Sequence, residues 1–151
     1  MYMKAKDAIS GREGTLLATI DGNVYEVAEC KNITAKIDKN KSEFKALGYR
    51  GTQHKATGWS GTGSMEVYYA SSRWTKMMID YCKTGKDVYF SLLVVNNDPA
   101  SDIGEQRVKL LDVNMNSAEI AKLDVDSDYL SSSSDFTFSD VELLDQFSEL
   151  K

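Results

Sequence analysis

The chain has 151 residues, 42% hydrophobic and 27% charged, so one domain can bury a core without disulfides or metal. Its formal net charge of −5 argues against a free-standing nucleic-acid binder, because proteins that grip phosphates are usually basic. The N-terminal MYMKAKDAIS has no apolar core, and no apolar run approaches the roughly 18 residues of a membrane span. The expectation is a protein made and kept in the cytoplasm, with no membrane anchor.

Residues 1–14 are polar and carry two glycines without an apolar period, as an N-terminal arm would. Residues 15–20 form a short β run, closed by the tight-turn signal Asp21-Gly22-Asn23. Residues 24–38 are rich in β-branched side chains and are expected to complete a hairpin with the first run. Residues 39–55 break the pattern: Lys39, Lys41, Lys45, Arg50 and Lys55 stand against the single acid Glu43, with Phe44, Leu47 and Tyr49 scattered among them. This reads as a long loop, and a compact domain seldom keeps one without a use for it. Lys39, Lys41, Phe44, Leu47, Tyr49, Arg50, His54 and Lys55 are therefore the candidate contacts to another subunit.

Residues 56–95 read as strand, helix, strand. Thr57, Trp59, Gly61, Gly63, Met65, Val67 and Tyr69 share one face of an extended segment by their period of two. Trp74, Met77, Met78, Tyr81 and Cys82 then repeat at helical spacing and make one apolar stripe. Ser71 or Ser72 suits the start of that helix, Lys83 its negative end, and Gly85 the left-handed residue that stops it. Val88 to Val95 returns to a strand. A turn cluster at 96–102 holds the only proline, Pro99. A strand is expected over 106–114, a helical turn over 117–122, a serine loop over 131–134, and a last strand at Phe136-Thr137-Phe138. Residues 141–151 are expected to be a short helix or a C-terminal arm.

No catalytic constellation emerges. The one histidine, His54, lies among cations with no motif around it. GWSGTGS at 58–64 lacks the Lys-Ser/Thr of a phosphate loop, and glycines inside a strand mark close backbone approach. Asp124, Asp126 and Asp128 alternate as in a calcium loop, but Tyr129 stands where glycine is needed and Asp135 where glutamate is. Cys30 and Cys82 form no metal-ligand or redox pair, and Cys82 on the stripe is expected to be a buried free thiol. No cofactor, metal or catalytic residue is assigned. The β-rich content supplies edge strands, and open edges invite pairing with another chain. This favours a binding or assembly protein over an enzyme.

The segments KNKSEFKALGYRGTQHKATGWSGTGSMEVYY, MMIDYCKTGKDVYFSL, GEQRVKLLDVNMNSAEIAKLDVDS and FTFSD closely resemble the tail tube, or core tail, proteins of PBSX-type defective prophages, and R-type bacteriocin tubes are similar. The likeness runs from about residue 9 to 140. It implies a mainly β fold with one flanking α-helix, a β-sandwich or barrel of the phage tail tube type spanning 1–151. It also implies hexameric rings that close an inner β-barrel and stack into a hollow tube, driven by a contractile sheath through a target envelope. Partners would be other copies, the tail sheath protein, and baseplate and tail-terminator proteins. The protein would assemble in the bacterial cytoplasm and end in the released particle. A type VI secretion tube or a baseplate adaptor is the nearest rival. A β-sandwich carbohydrate-binding module using Trp59, Tyr68 and Tyr69 is the alternative from another class. In a tube, the net charge of −5 leads to the expectation of an acidic or neutral bore.

Overall fold

The computed structural model describes residues 2–150; Met1 and Lys151, the ends of the two expected arms, lie outside the described residues. Among the described residues a 3-10 turn (Ala5–Asp7) precedes eight strands and one α-helix: β1 (Gly14–Ile20), β2 (Asn23–Glu26), β3 (Cys30–Phe44), β4 (Gln53–Tyr68), α1 (Arg73–Thr84), β5 (Phe90–Asn97), β6 (Glu105–Met115), β7 (Ser131–Phe138) and β8 (Asp140–Asp145). Every pairing is antiparallel, in the order β2-β1-β5-β6-β7-β4-β3, with β8 also on β6. The fold is mainly β with one helix.

Strand β6 joins two halves. Its residues 107–111 lie between β5 and β8, while Asn114 and Met115 pair with β7. The corner falls at Asp112, whose φ of 54° is rare for a residue with a Cβ and most tolerated in Asp and Asn. Ser139 Oγ donates to Asp112 Oδ2 at 2.7 Å and ties the start of β8 to this bend. A strand that bends in this way serves both layers at once. Leu92, Leu110, Val113, Met65 and Phe136 fill the space between them, each almost fully buried. Helix α1 covers this core with Trp74, whose ring lies 5.6 Å from that of Phe90.

Several elements match the sequence reading. The turn between β1 and β2 has positive φ at both Asp21 (50°) and Gly22 (81°), the combination that fits the twist of a hairpin. On β4, Gly61, Met65 and Val67 are buried on the predicted face. Gly85 ends α1 at φ 74°, its N–H donating to Tyr81 O, and Lys83 stands in the last turn. At the other end Ser72 occupies the cap position without a side-chain bond, and Ser71 Oγ accepts from the Arg73 N–H instead.

Other elements differ. Residues 24–38 do not form one strand: β2 ends at Glu26, and β3 leaves for the other layer to pair with β4. The expected loop 39–55 is strand over 39–44 and 53–55, leaving only a short tip. Residues 117–122 make no helical turn. The serine stretch is the first half of β7, because Ser132 and Ser134 are small enough to sit buried opposite Val67 and Met65. Phe136 to Phe138 is thus not the last strand; β8 follows, where a helix or arm was expected. The helix stripe is buried only at its start: Trp74 is buried and Met77 packs on the core, but Tyr81 is 48% exposed and Cys82 is exposed, not a buried thiol.

Candidate assembly surfaces

The β3–β4 hairpin dominates the surface. Its strands stay in register from Ile33↔Met65 to Phe44↔Gln53, with a bulge beside Asn40 and Lys41. Thr57 is the extra residue, and its hydroxyl donates to Asn40 O at 3.1 Å. Alternation gives this hairpin two unlike faces. The inner face carries Ile33, Met65 and Gly61, then runs beyond the core as Ile37, Trp59, Lys39 and Lys41. Ile37 and Trp59 are half exposed, Trp59 leaning on Phe138 at 6.5 Å. The outer face carries Thr34, Lys36 and Asp38 on β3 with Ser60, Thr62 and Ser64 on β4. Asp135 and Thr137 extend it across β7.

The structure distributes the contact candidates rather than gathering them. Lys39, Lys41 and His54 share the inner face of the hairpin; Lys55, opposite Ser42, lies on the outer face with Phe44. Leu47, Tyr49 and Arg50 form the tip, where Gly48 takes φ 82°. All eight are exposed.

Four edges carry backbone groups with no neighbouring strand among the described residues: the outer sides of β2, β3 and β8, and residues 53–60 of β4 on the side away from β3. Strand β3 is the longest of these edges, and β8 adds half-exposed Leu143 and Leu144 to its own. Sequence reasoning missed β8 altogether, and missed residues 116–130, a segment laid over the far end of β4. Tyr69 Oη donates to Ile120 O at 3.2 Å, the Tyr69 N–H to Leu130 O at 2.9 Å, and Lys122 Nζ to Ser131 O at 2.7 Å. Tyr129 meets Tyr68 edge to face at 5.2 Å, and Lys31 Nζ stands 5.4 Å and 5.6 Å over the two rings. Lys31 also pairs with Glu66 at 3.3 Å. Hydrogen bonds from Asn32, Lys31 and Ser131 hold the Glu66 carboxyl below its usual range, and the Glu66 bond raises Lys31. Asp124 is exposed, and its carboxylate closes its own turn. It accepts from the Asp126 N–H at 3.0 Å and Ser127 Oγ at 2.7 Å, bonds that lower its pKa.

Trp59 and Tyr68 do not form one sugar platform. They stand nine residues apart on opposite faces of β4, a separation of about 30 Å at strand rise. The N-terminal segment is fastened by Asp98, whose Oδ2 accepts from the Ser10 N–H at 2.8 Å, and by Lys6 to Asp102 at 3.2 Å.

The family model described as "Phage tail tube protein" matches residues 1–145. The phage-like element PBSX protein XkdM of Bacillus subtilis (strain 168) is 44% identical over 149 residues, covering 99% of each chain. Among solved structures, the fold is similar to a chain of the anti-feeding prophage baseplate (TM-score 0.69, 12% identity, 95% of this chain and 97% of that one). It is also similar to a chain of the sheath-tube complex of an extracellular contractile injection system (TM-score 0.64, 10% identity, 92% and 93%). No described helix is long and apolar enough to cross a membrane.

Proposed function

Because this chain belongs to the phage tail tube protein family, we propose that six copies close into a ring, that rings stack into the hollow tube of a contractile phage-like tail, and that a sheath drives the tube through a target envelope. The chain is a structural subunit of a tail tube, and its role is mechanical rather than catalytic. The observation that supports ring formation is the two-faced β3–β4 hairpin with its free outer edge. Pairing that edge with a neighbouring copy satisfies its exposed N–H and C=O groups, and closure around a ring removes the last edge. The outer face of the hairpin, with β7, then lines the bore. Lys36 and Lys55 are offset there by Asp38 and Asp135, so the wall is mostly polar and close to neutral. Such a wall does not hold a passing polyanion by counterion release.

Six-fold symmetry is taken from the relatives, whose assemblies include a six-fold symmetrised baseplate. A sheath partner is suggested by the sheath-tube complex, with baseplate and terminator proteins at the two ends. Assembly in the bacterial cytoplasm precedes release of the particle. The test is cryo-microscopy of particles from the protein's own host, with the subunit epitope-tagged. Label along the full inner tube is expected. Label confined to one level would make the protein a baseplate adaptor, which caps and does not repeat.

A further inference from the structure

The two most exposed apolar tips of the molecule carry opposite charge and lie at opposite ends of one strand. The first is the hairpin tip, FKALGYR at 44–50, where Leu47 is fully exposed, Phe44 and Tyr49 are largely so, and Lys45 and Arg50 supply positive charge. The second is the turn LDVDSD at 123–128, where Leu123 and Val125 are each 98% exposed between Asp124, Asp126 and Asp128. Apolar side chains so fully in water, each rimmed by charge, are the composition of a docking contact. The tip lies where β4 begins, at Gln53; the 116–130 segment is fastened where β4 ends, at Tyr68 and Tyr69. Fifteen strand steps separate the two, about 50 Å, so the two cannot meet within one copy.

We propose that the hairpin tip of one copy seats on the 123–128 turn of a second copy. Charge complementarity selects this occupant. Residues 39–55 hold five Lys or Arg against one Glu, a net +4 (5 − 1), while the whole chain is −5, leaving −9 on the remainder (−5 − 4). Apolar groups on each side exclude water around the ion pairs and strengthen them. The turn is preformed by the bonds to Asp124, so little ordering is needed on its side. Donor and acceptor surfaces are different, so the contact is head-to-tail and leaves each added copy with a free partner surface. It therefore supplies stacking in the tube assigned above, and it rests on that reading.

The test is charge exchange in the full chain. Asp124 is left intact because it holds the turn. Lys45→Glu with Arg50→Glu, and separately Asp126→Lys with Asp128→Lys, should each melt like the native protein yet cut the yield of long tubes at least tenfold. All four changes in one chain should restore tubes of native length. Native stacking in both pairs, or a fourfold variant no better than the worse pair, would overturn the contact. So would reversals that leave bare tubes intact but strip the sheath from them, since the occupant would then be the sheath. As an independent readout, Leu47→Cys with Val125→Cys in a Cys82→Ser background should give, on oxidation, a ladder past the dimer on a non-reducing gel; dimers only, or no bands, would refute it. If the native chain itself builds no tubes, the tail-tube assignment fails first and this contact with it.

Discussion

Gly61 and Gly63 are bare so that Phe138 and Phe136, their cross-strand partners, can lay their rings over the backbone. A Cβ at Gly63 would enter the Phe136 ring and press to 2.7 Å from Thr34 O, a backbone atom that cannot swing away. Gly63→Ala is expected to lower stability by about 1–3 kcal/mol in denaturant melts, the cost of overpacking. The glycine pattern was legible as close approach, but not what approached, because the phenylalanines are more than seventy residues away in sequence. Trp74→Ala should cost roughly 3–5 kcal/mol, since the side chain is buried against Phe90, and Met78→Ala clearly less, since it is only half buried. Helical spacing alone could not grade that stripe; only what packs on α1 does so. The Glu66 cluster predicts a pH effect of definite sign. Its folded pKa is lowered, so its contribution is present above the usual carboxylate range and is lost as pH falls through the folded value. Lys31, raised by the same bond, stays charged over that interval. Amide exchange in residues 116–130 should quicken on acidification, and Glu66→Gln should remove the part near Tyr129 and Leu130 while leaving the part that Asp124 gives the 124–127 turn.

At the scale of elements, the hairpin was half readable. Its inner end has a period of two with one apolar face, the signature of a half-buried strand. Its outer end lies in water on both faces, so Lys39 to Phe44 shows no period and reads as loop although the backbone is paired. The same reason hid the start of β7, where the buried face is made of serines. None of residues 39–60 is buried. Replacing residues 41–57 by a two-residue Asn-Gly turn should therefore leave the melting temperature within a few degrees, while tube formation is lost. A large fall in melting temperature would mean that the outer hairpin supports the fold and is more than an assembly arm.

For the whole molecule, the resemblance of its segments carried the fold class, and composition limited it to a domain with its own core; the path of β6 through both layers was not readable, because its bend depends on a positive φ at Asp112. Charge was legible as a total and misleading as one: −5 conceals a cationic hairpin on an acidic body. Assembly between such copies should be sensitive to ionic strength, because the charges meet near solvent and the Debye length shrinks from about 10 Å at 0.1 M to 3 Å at 1 M. Light scattering should report slower tube growth as salt rises, with monomer melting little changed. Growth indifferent to salt would place the stacking energy in apolar contact alone.

If the tip seats on the turn of the next copy as proposed, their placement at opposite ends of β4 also gives the tube a direction. One mouth would then offer unsatisfied hairpins and the other unsatisfied acidic turns, making the two mouths chemically different surfaces. A protein that starts the tube must imitate one of them and a protein that stops it must imitate the other, and neither can do the other's work. With a starter protein seated on one mouth, elongation would proceed from the other, and tube length would be decided by when that end meets its cap.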